Sequence, residues 1–134
     1  MSKSRMDTIS ESEWMALRLT KSYSPFSHAF AMLRHSELRV AELVELRHED
    51  IDLQGDKLSV CDNKHSGNAR EITLTFIRRY HICCAMRDST SDTFVFSSRS
   101  GNKLDRHELR RALQKAAREA RIERRLTLHM IRKT

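Results

Sequence analysis

The stretch DRHELRRALQKAAREAR, residues 105 to 121, restricts the fold of this chain more than any other segment. At 100° per residue, Leu109, Ala112, Leu113, Ala116 and Ala120 fall on one side of a helix, and Arg111, Lys115, Arg118 and Arg121 fall opposite. A helix divided in this way packs one face on a core and leaves the other to water or to a polyanion. The rest of the sequence has to supply that core. With 3 Gly and 1 Pro in 134 residues there are few breaks, so helices are expected to dominate. The length suits one compact domain and is short for two.

Spacing and punctuation place the other elements. Ser10 followed by Glu13 forms a capping box, in which each side chain satisfies a free backbone N–H at a helix start. A helix over 11–22 follows, with Trp14, Leu17 and Leu19 as its apolar positions, and the Ser24-Pro25 step ends it. Phe26, Ala29, Phe30 and Leu33 predict a second helix over 26–33. A third, over 38–47, has Leu38, Ala41 and Val44 on its buried side, with Leu43 and Leu46 less central, and Asp50-Ile51-Asp52 ends it. Residues 57–61 and 70–74 alternate as strands around the turn-rich NKHSGN, a β-hairpin with Lys64 near its tip. A helix over 76–87, the loop DSTSD, a short strand or extended segment at 93–96 and a turn at 100–102 come next. Thr127 reads as the N-cap of a last helix from Leu128 or His129; at under two turns it frays unless it packs well. The predicted fold class is α+β: mainly α with a small antiparallel β-sheet. Residues 1–8 read as a flexible polar terminus and 9–134 as one domain.

The net charge of +7 is unevenly placed. Residues 1–102 carry 14 Lys/Arg and 14 Asp/Glu, whereas residues 103–134 carry 11 and 4. The whole excess lies in the last quarter, the electrostatic footprint of a nucleic-acid surface; a solvated helix face is the plainer alternative. No apolar run reaches the ~20 residues of a membrane span, and MSKSRMD lacks the apolar stretch of a signal peptide. A cytoplasmic protein is expected. Three cysteines, Cys61, Cys83 and Cys84, do not suggest a disulfide framework. His81, Cys83 and Cys84 lack the two well-spaced pairs of a structural zinc site, so no metal is expected.

Four separated segments carry a family resemblance. LRVAELVELRHEDIDL holds Arg39 and, three positions on, Glu42; Lys64 sits in the hairpin turn; FVFSSRSGNKLDRHELRRAL leads into the basic helix; and LTLHMIRKT contains His129 and Arg132 in a His-x-x-Arg arrangement. In that order they resemble the catalytic domain of the tyrosine recombinases, the phage integrase family. Singly, each has a plainer reading: an i, i+3 surface ion pair, a solvated turn lysine, a basic tail. The family often has glycine where this chain has Glu37.

The resemblance implies a chemistry. In this family a tyrosine hydroxyl attacks a DNA phosphodiester, and a 5′-hydroxyl later displaces the 3′-phosphotyrosyl link, so neither cofactor nor metal is needed. Arg39 and Arg132 would hold the nonbridging oxygens, since guanidinium donates in a fixed fork and keeps its charge. Glu42 would orient Arg39, His129 would donate a hydrogen bond or relay a proton, and Lys64 would protonate the leaving oxygen. Arg106, His107 and Arg110 are expected near base edges, with Arg111, Lys115 and Arg118 as alternative phosphate partners. The implied partners are double-stranded DNA and other recombinase protomers on it. The family's nucleophilic tyrosine lies beyond the His-x-x-Arg box, and Tyr23 and Tyr80 both precede it. A C-terminally truncated catalytic domain, inactive alone, is therefore the expectation. It would act as a DNA-binding fragment of an integrase of a mobile genetic element, in DNA integration or recombination. The alternative is a noncatalytic regulator or remnant that occupies recombination sites.

Overall fold

Side-chain hydrogen bonds set the ends of the first helices. A computed structural model describes residues 8–61 and 69–132, so the polar terminus 1–7 and the hairpin turn with Lys64 lie outside the described residues. In α1 (Glu11–Arg18), Ser10 Oγ accepts the Glu13 N–H at 3.1 Å and Glu13 Oε1 accepts the Ser10 N–H at 2.8 Å, the capping box expected from the sequence. The helix stops earlier than predicted. Thr20 Oγ1 donates to the Leu17 carbonyl at 2.7 Å, offering the backbone an alternative to further helical bonding. Leu19, expected on the apolar side, is 87% exposed.

A 3₁₀ turn over Ser24–Phe26 leads into α2 (Ser27–His35), whose Phe30 and Met32 lie at the centre of the core. After α2 the chain stays extended. Ser36 Oγ accepts the Leu38 N–H at 3.2 Å, and Arg39 has an extended backbone (φ −82°, ψ 159°). The third helix, α3 (Val40–Glu45), thus begins two residues later than predicted and shifts in phase. Leu43, expected at its margin, is fully buried, and Ala41, expected inside, faces solvent.

The sheet has three strands in the order β1 (Ile51–Asp52), β2 (Lys57–Cys61), β3 (Ala69–Thr73), all antiparallel. The β2–β3 pair is the predicted hairpin. The short β1, read from sequence as a helix end, is added by a tight turn in which Asp56 takes φ +53° and Gly55 N–H donates to Asp52 Oδ1 at 2.9 Å. Register pairs Leu58 with Ile72 and Val60 with Arg70, so Arg70 shares the core-facing side with three buried apolar residues. Residues 93–96 form no strand of their own. They make an isolated bridge from Phe94 to Arg47, with Val95 N–H donating to the Leu46 carbonyl at 3.0 Å.

Helix α4 (Phe76–Asp88) packs on α2. His28 and His81 meet there, Nδ1 to Nδ1 at 2.9 Å, and burial, with His28, His35 and Arg18 nearby, pushes His81 down to about 4. Helix α5 (Arg106–Glu119) is capped by Asp105, whose side chain accepts the His107 N–H at 2.9 Å. It buries Leu109, Ala112, Leu113, Ala116 and Ala117. Ala117 takes the place expected for Ala120, because Arg121, at φ +59°, turns the chain away just past that residue. Ser22 reaches back to the same end, donating from N and Oγ to the Glu119 carboxylate at 3.0 and 2.6 Å.

The last element, α6 (Leu128–Ile131), is one turn long and nonetheless well held. Leu128, Met130 and Ile131 are buried. The Ile9 N–H donates to the Met130 carbonyl at 3.0 Å, and Arg34, itself buried, donates from Nη1 to the Ile131 carbonyl at 3.2 Å. Among the described residues no helix is long and apolar enough to cross a membrane.

Candidate functional site

Three elements meet around an open cleft of about 860 Å³. The start of α3 contributes Arg39, α5 contributes Arg106, His107, Arg110 and Gln114, and the segment through α6 contributes Arg125, His129 and Arg132. Arg39 and Arg132, 93 positions apart in sequence, therefore line one concavity. Their place depends on how each helix begins or ends. Arg39 is the N-cap residue of α3 and Arg132 the C-cap residue of α6, so both lie where the backbone leaves the helix.

Glu42 serves this arrangement in a different way from a partner of the Arg39 guanidinium. Its Oε1 accepts the Arg39 backbone N–H at 2.9 Å, and its two oxygens accept Arg70 Nη1 at 2.6 Å and Nη2 at 3.0 Å. Partial burial works to raise the Glu42 pKa. The Arg70 pair, the Arg39 N–H and the nearby Arg39 charge outweigh it and lower the value on balance. Glu42 thus stays an anion that fixes the Arg39 backbone and binds β3 to α3. Arg70 also donates from Nη2 to the Glu37 carbonyl at 3.1 Å, and Arg132 donates to the same oxygen at 3.2 Å. One backbone carbonyl therefore joins β3, the start of α3 and the end of α6.

The basic face of α5 divides between surroundings. Arg106, His107 and Arg110 line the cleft, and Arg118 lines an adjoining groove, while Arg111 and Lys115 line neither. Tyr23 and Tyr80 are also outside the cleft. Tyr23 stacks on Phe30 at 5.3 Å, and burial pushes its phenol up to about 12; Tyr80 is exposed on α4. Sequence reasoning missed Arg70, Gln114 and Arg125. Arg70 had a signal: an arginine at an inward position of an alternating strand needs an acidic partner. Arg125 had none, lying in an aperiodic connection.

The arrangement gathers guanidinium groups of one sign in a concave site, which suits an anion with several oxygens. The sequence model of the phage integrase family matches residues 9–134. The chain belongs to the phage integrase family. Solved integrases and recombinases share its fold. The XerA recombinase superposes with a TM-score of 0.70 at 22% identity, over 92% of this chain and 47% of that one. Lambda integrase bound to DNA gives 0.76 at 15% identity, over 98% and 50%. The Tn1549 transposon integrase in complex with circular intermediate DNA gives 0.71 at 18%, over 90% and 48%. The chain thus spans about half the length of these solved proteins. No relative was found among curated protein sequences.

Proposed function

We propose that this integrase-family chain binds double-stranded DNA in site-specific recombination or integration, seating a backbone phosphate between Arg39 and Arg132. The observation that carries this reading is the convergence of those two arginines with His129 and the start of α5 on one cleft. The fork of each guanidinium matches phosphate oxygens, and His129, which lines the same cleft, would add a hydrogen bond. Arg106, His107 and Arg110, on the cleft side of α5, are favoured over Arg111 and Lys115 as contacts near the bases. That lambda and Tn1549 integrases of the same fold were solved bound to DNA supports DNA as the partner.

In the transition state of the family's strand cleavage, charge builds on the phosphate oxygens, where each such arginine contact is worth on the order of 2 to 4 kcal/mol. Cleavage also needs a nucleophile in the cleft. Neither Tyr23 nor Tyr80 is there. Residues 9–134 therefore supply the phosphate-holding part of the site, and Tyr23 and Tyr80 take no part in forming a phosphotyrosyl bond. Two measurements test this. The log of the binding constant against log salt should have a slope of about −5 if six or so phosphates are neutralised; a flat line removes the DNA reading. A duplex nicked near the cleavage position should yield no covalent adduct with this polypeptide, and an adduct to Tyr23 or Tyr80 refutes the division of labour.

A further inference from the structure

We propose that the groove beyond the cleft is a second station for the DNA backbone, and that Arg125 is the contact shared by both. This rests on the reading that the cleft itself seats a phosphate. The groove, about 360 Å³, lies where α5 ends and the chain turns back, and it shares Gln114, Arg125 and Leu126 with the cleft. The two concavities are therefore continuous.

A line of side chains on α5 runs along both. Arg110 lines the cleft, Gln114 lines cleft and groove, and Arg118 lines the groove, at i, i+4 and i+8 on one ridge. At 1.5 Å rise per residue the ridge extends about 12 Å. That is a span over which a nucleic-acid backbone presents successive phosphates, and the side chains along it are donors.

The neighbouring arginines 124 and 125 are used in opposite ways. Arg124 is held against the body of the protein, its Nε and Nη2 donating to Glu13 Oε2 and Oε1 at 2.9 and 2.8 Å and its Nη2 also to the Thr8 carbonyl at 2.9 Å. The Arg124 hydrogen bonds, foremost, keep Glu13 charged, down to about 2 against the opposing effect of burial. Arg125 is exposed, and among the described residues neither it nor Arg118 has an ion-pair partner. Glu123 also lines the groove and subtracts from its positive charge. The extended segment thus anchors itself through one arginine and offers the next to solvent at the junction of two basic concavities.

The test is fluorescence anisotropy of the 134-residue protein with duplexes of two unrelated sequences over a salt series. Arg125→Gln and Arg118→Gln should each weaken binding about five- to tenfold at ~0.1 M salt and reduce the steepness of the salt dependence by about 1, equally for both duplexes. Arg111→Gln, outside both concavities, should have the smaller effect, and thermal melts of all three should match wild type. Wild-type binding with a steep salt slope that neither groove substitution alters overturns the second station and leaves the DNA reading intact. A loss confined to one duplex sequence overturns the backbone assignment in favour of base contact. A wild-type protein whose affinity ignores salt overturns the DNA reading and the groove with it.

Discussion

Arg34→Met is the most informative single substitution for the architecture of the site. Arg34 is 4% exposed, donates to Glu11 Oε1 at 2.7 Å and to the Ile131 carbonyl at 3.2 Å, and lies 5.0 Å from the centre of the Trp14 ring. Methionine keeps much of the stem volume and removes the donors. The Ile131 carbonyl, left without this bond, costs about 1–3 kcal/mol. Loss of the cation over Trp14 adds about 1 kcal/mol. The ion pair contributes under about 1 kcal/mol, because the Glu11 side chain is 71% exposed. Relief from burying a charge offsets part of the total, leaving a net loss of about 2–3 kcal/mol. For a chain of this length that is a fall of about 7–10 °C in melting temperature. Calorimetry of Arg34→Met and Glu11→Gln separates the parts: the arginine variant should show the full fall and the glutamate variant under about a third of it. Amide exchange at 128–132 should accelerate in Arg34→Met, with DNA affinity falling as His129 and Arg132 lose their placement. A melting temperature within about 2 °C of wild type, or equal losses from the two substitutions, refutes the claim that this buried arginine secures α6 through the carbonyl.

Three further outcomes can be measured. His81 is held neutral by burial, so its folded pKa of about 4 lies below the ordinary 6.5; the unfolded chain takes up the proton first. The stability due to neutral His81 is complete above about 6.5 and is lost as pH falls toward 4, a slope in melting temperature that His81→Phe should flatten. For Glu13, depressed to about 2 chiefly by its hydrogen bonds from Arg124, the corresponding stability is present above 4.5 and disappears as pH falls toward 2. Glu13→Gln should cost about 1–2 kcal/mol at neutral pH in a chemical melt, through the weakened Arg124 contact, and should remove that acid dependence. Glu42→Gln should weaken DNA binding several-fold through loosening of the α3 start, and Arg70→Gln should do the same although Arg70 does not line the cleft. If Arg70→Gln binds as wild type does, the β3 to α3 clamp is not part of the site's support.

Elements whose cause is local were legible in the sequence. The α1 capping box, α4 and α5 follow from side-chain spacing and from groups within one turn. The start of α3 was misplaced because Ser36 Oγ, by accepting the Leu38 N–H, holds Leu38 and Arg39 out of the helix although the apolar pattern begins at Leu38. That offset matters, since it puts Arg39 at the N-cap instead of within the helix. The strand β1 is two residues long, too short for alternation to register. Legibility of the site follows the same division. Arg39, His129 and Arg132 stand in recognisable local strings, whereas Arg70 and Arg125 acquire their places from tertiary packing: one across a sheet register, the other at the edge of two concavities.

The Glu37 carbonyl, which receives both Arg70 and Arg132, bears on how this chain tolerates change. An acceptor supplied by the main chain survives replacement of the side chain attached to it, so residue 37 can drift between glycine and a bulky acid while the two guanidiniums keep their tether. A scan of all side chains at position 37 should leave the anchorage intact, while proline two residues on, at Arg39, whose N–H Glu42 accepts, should not.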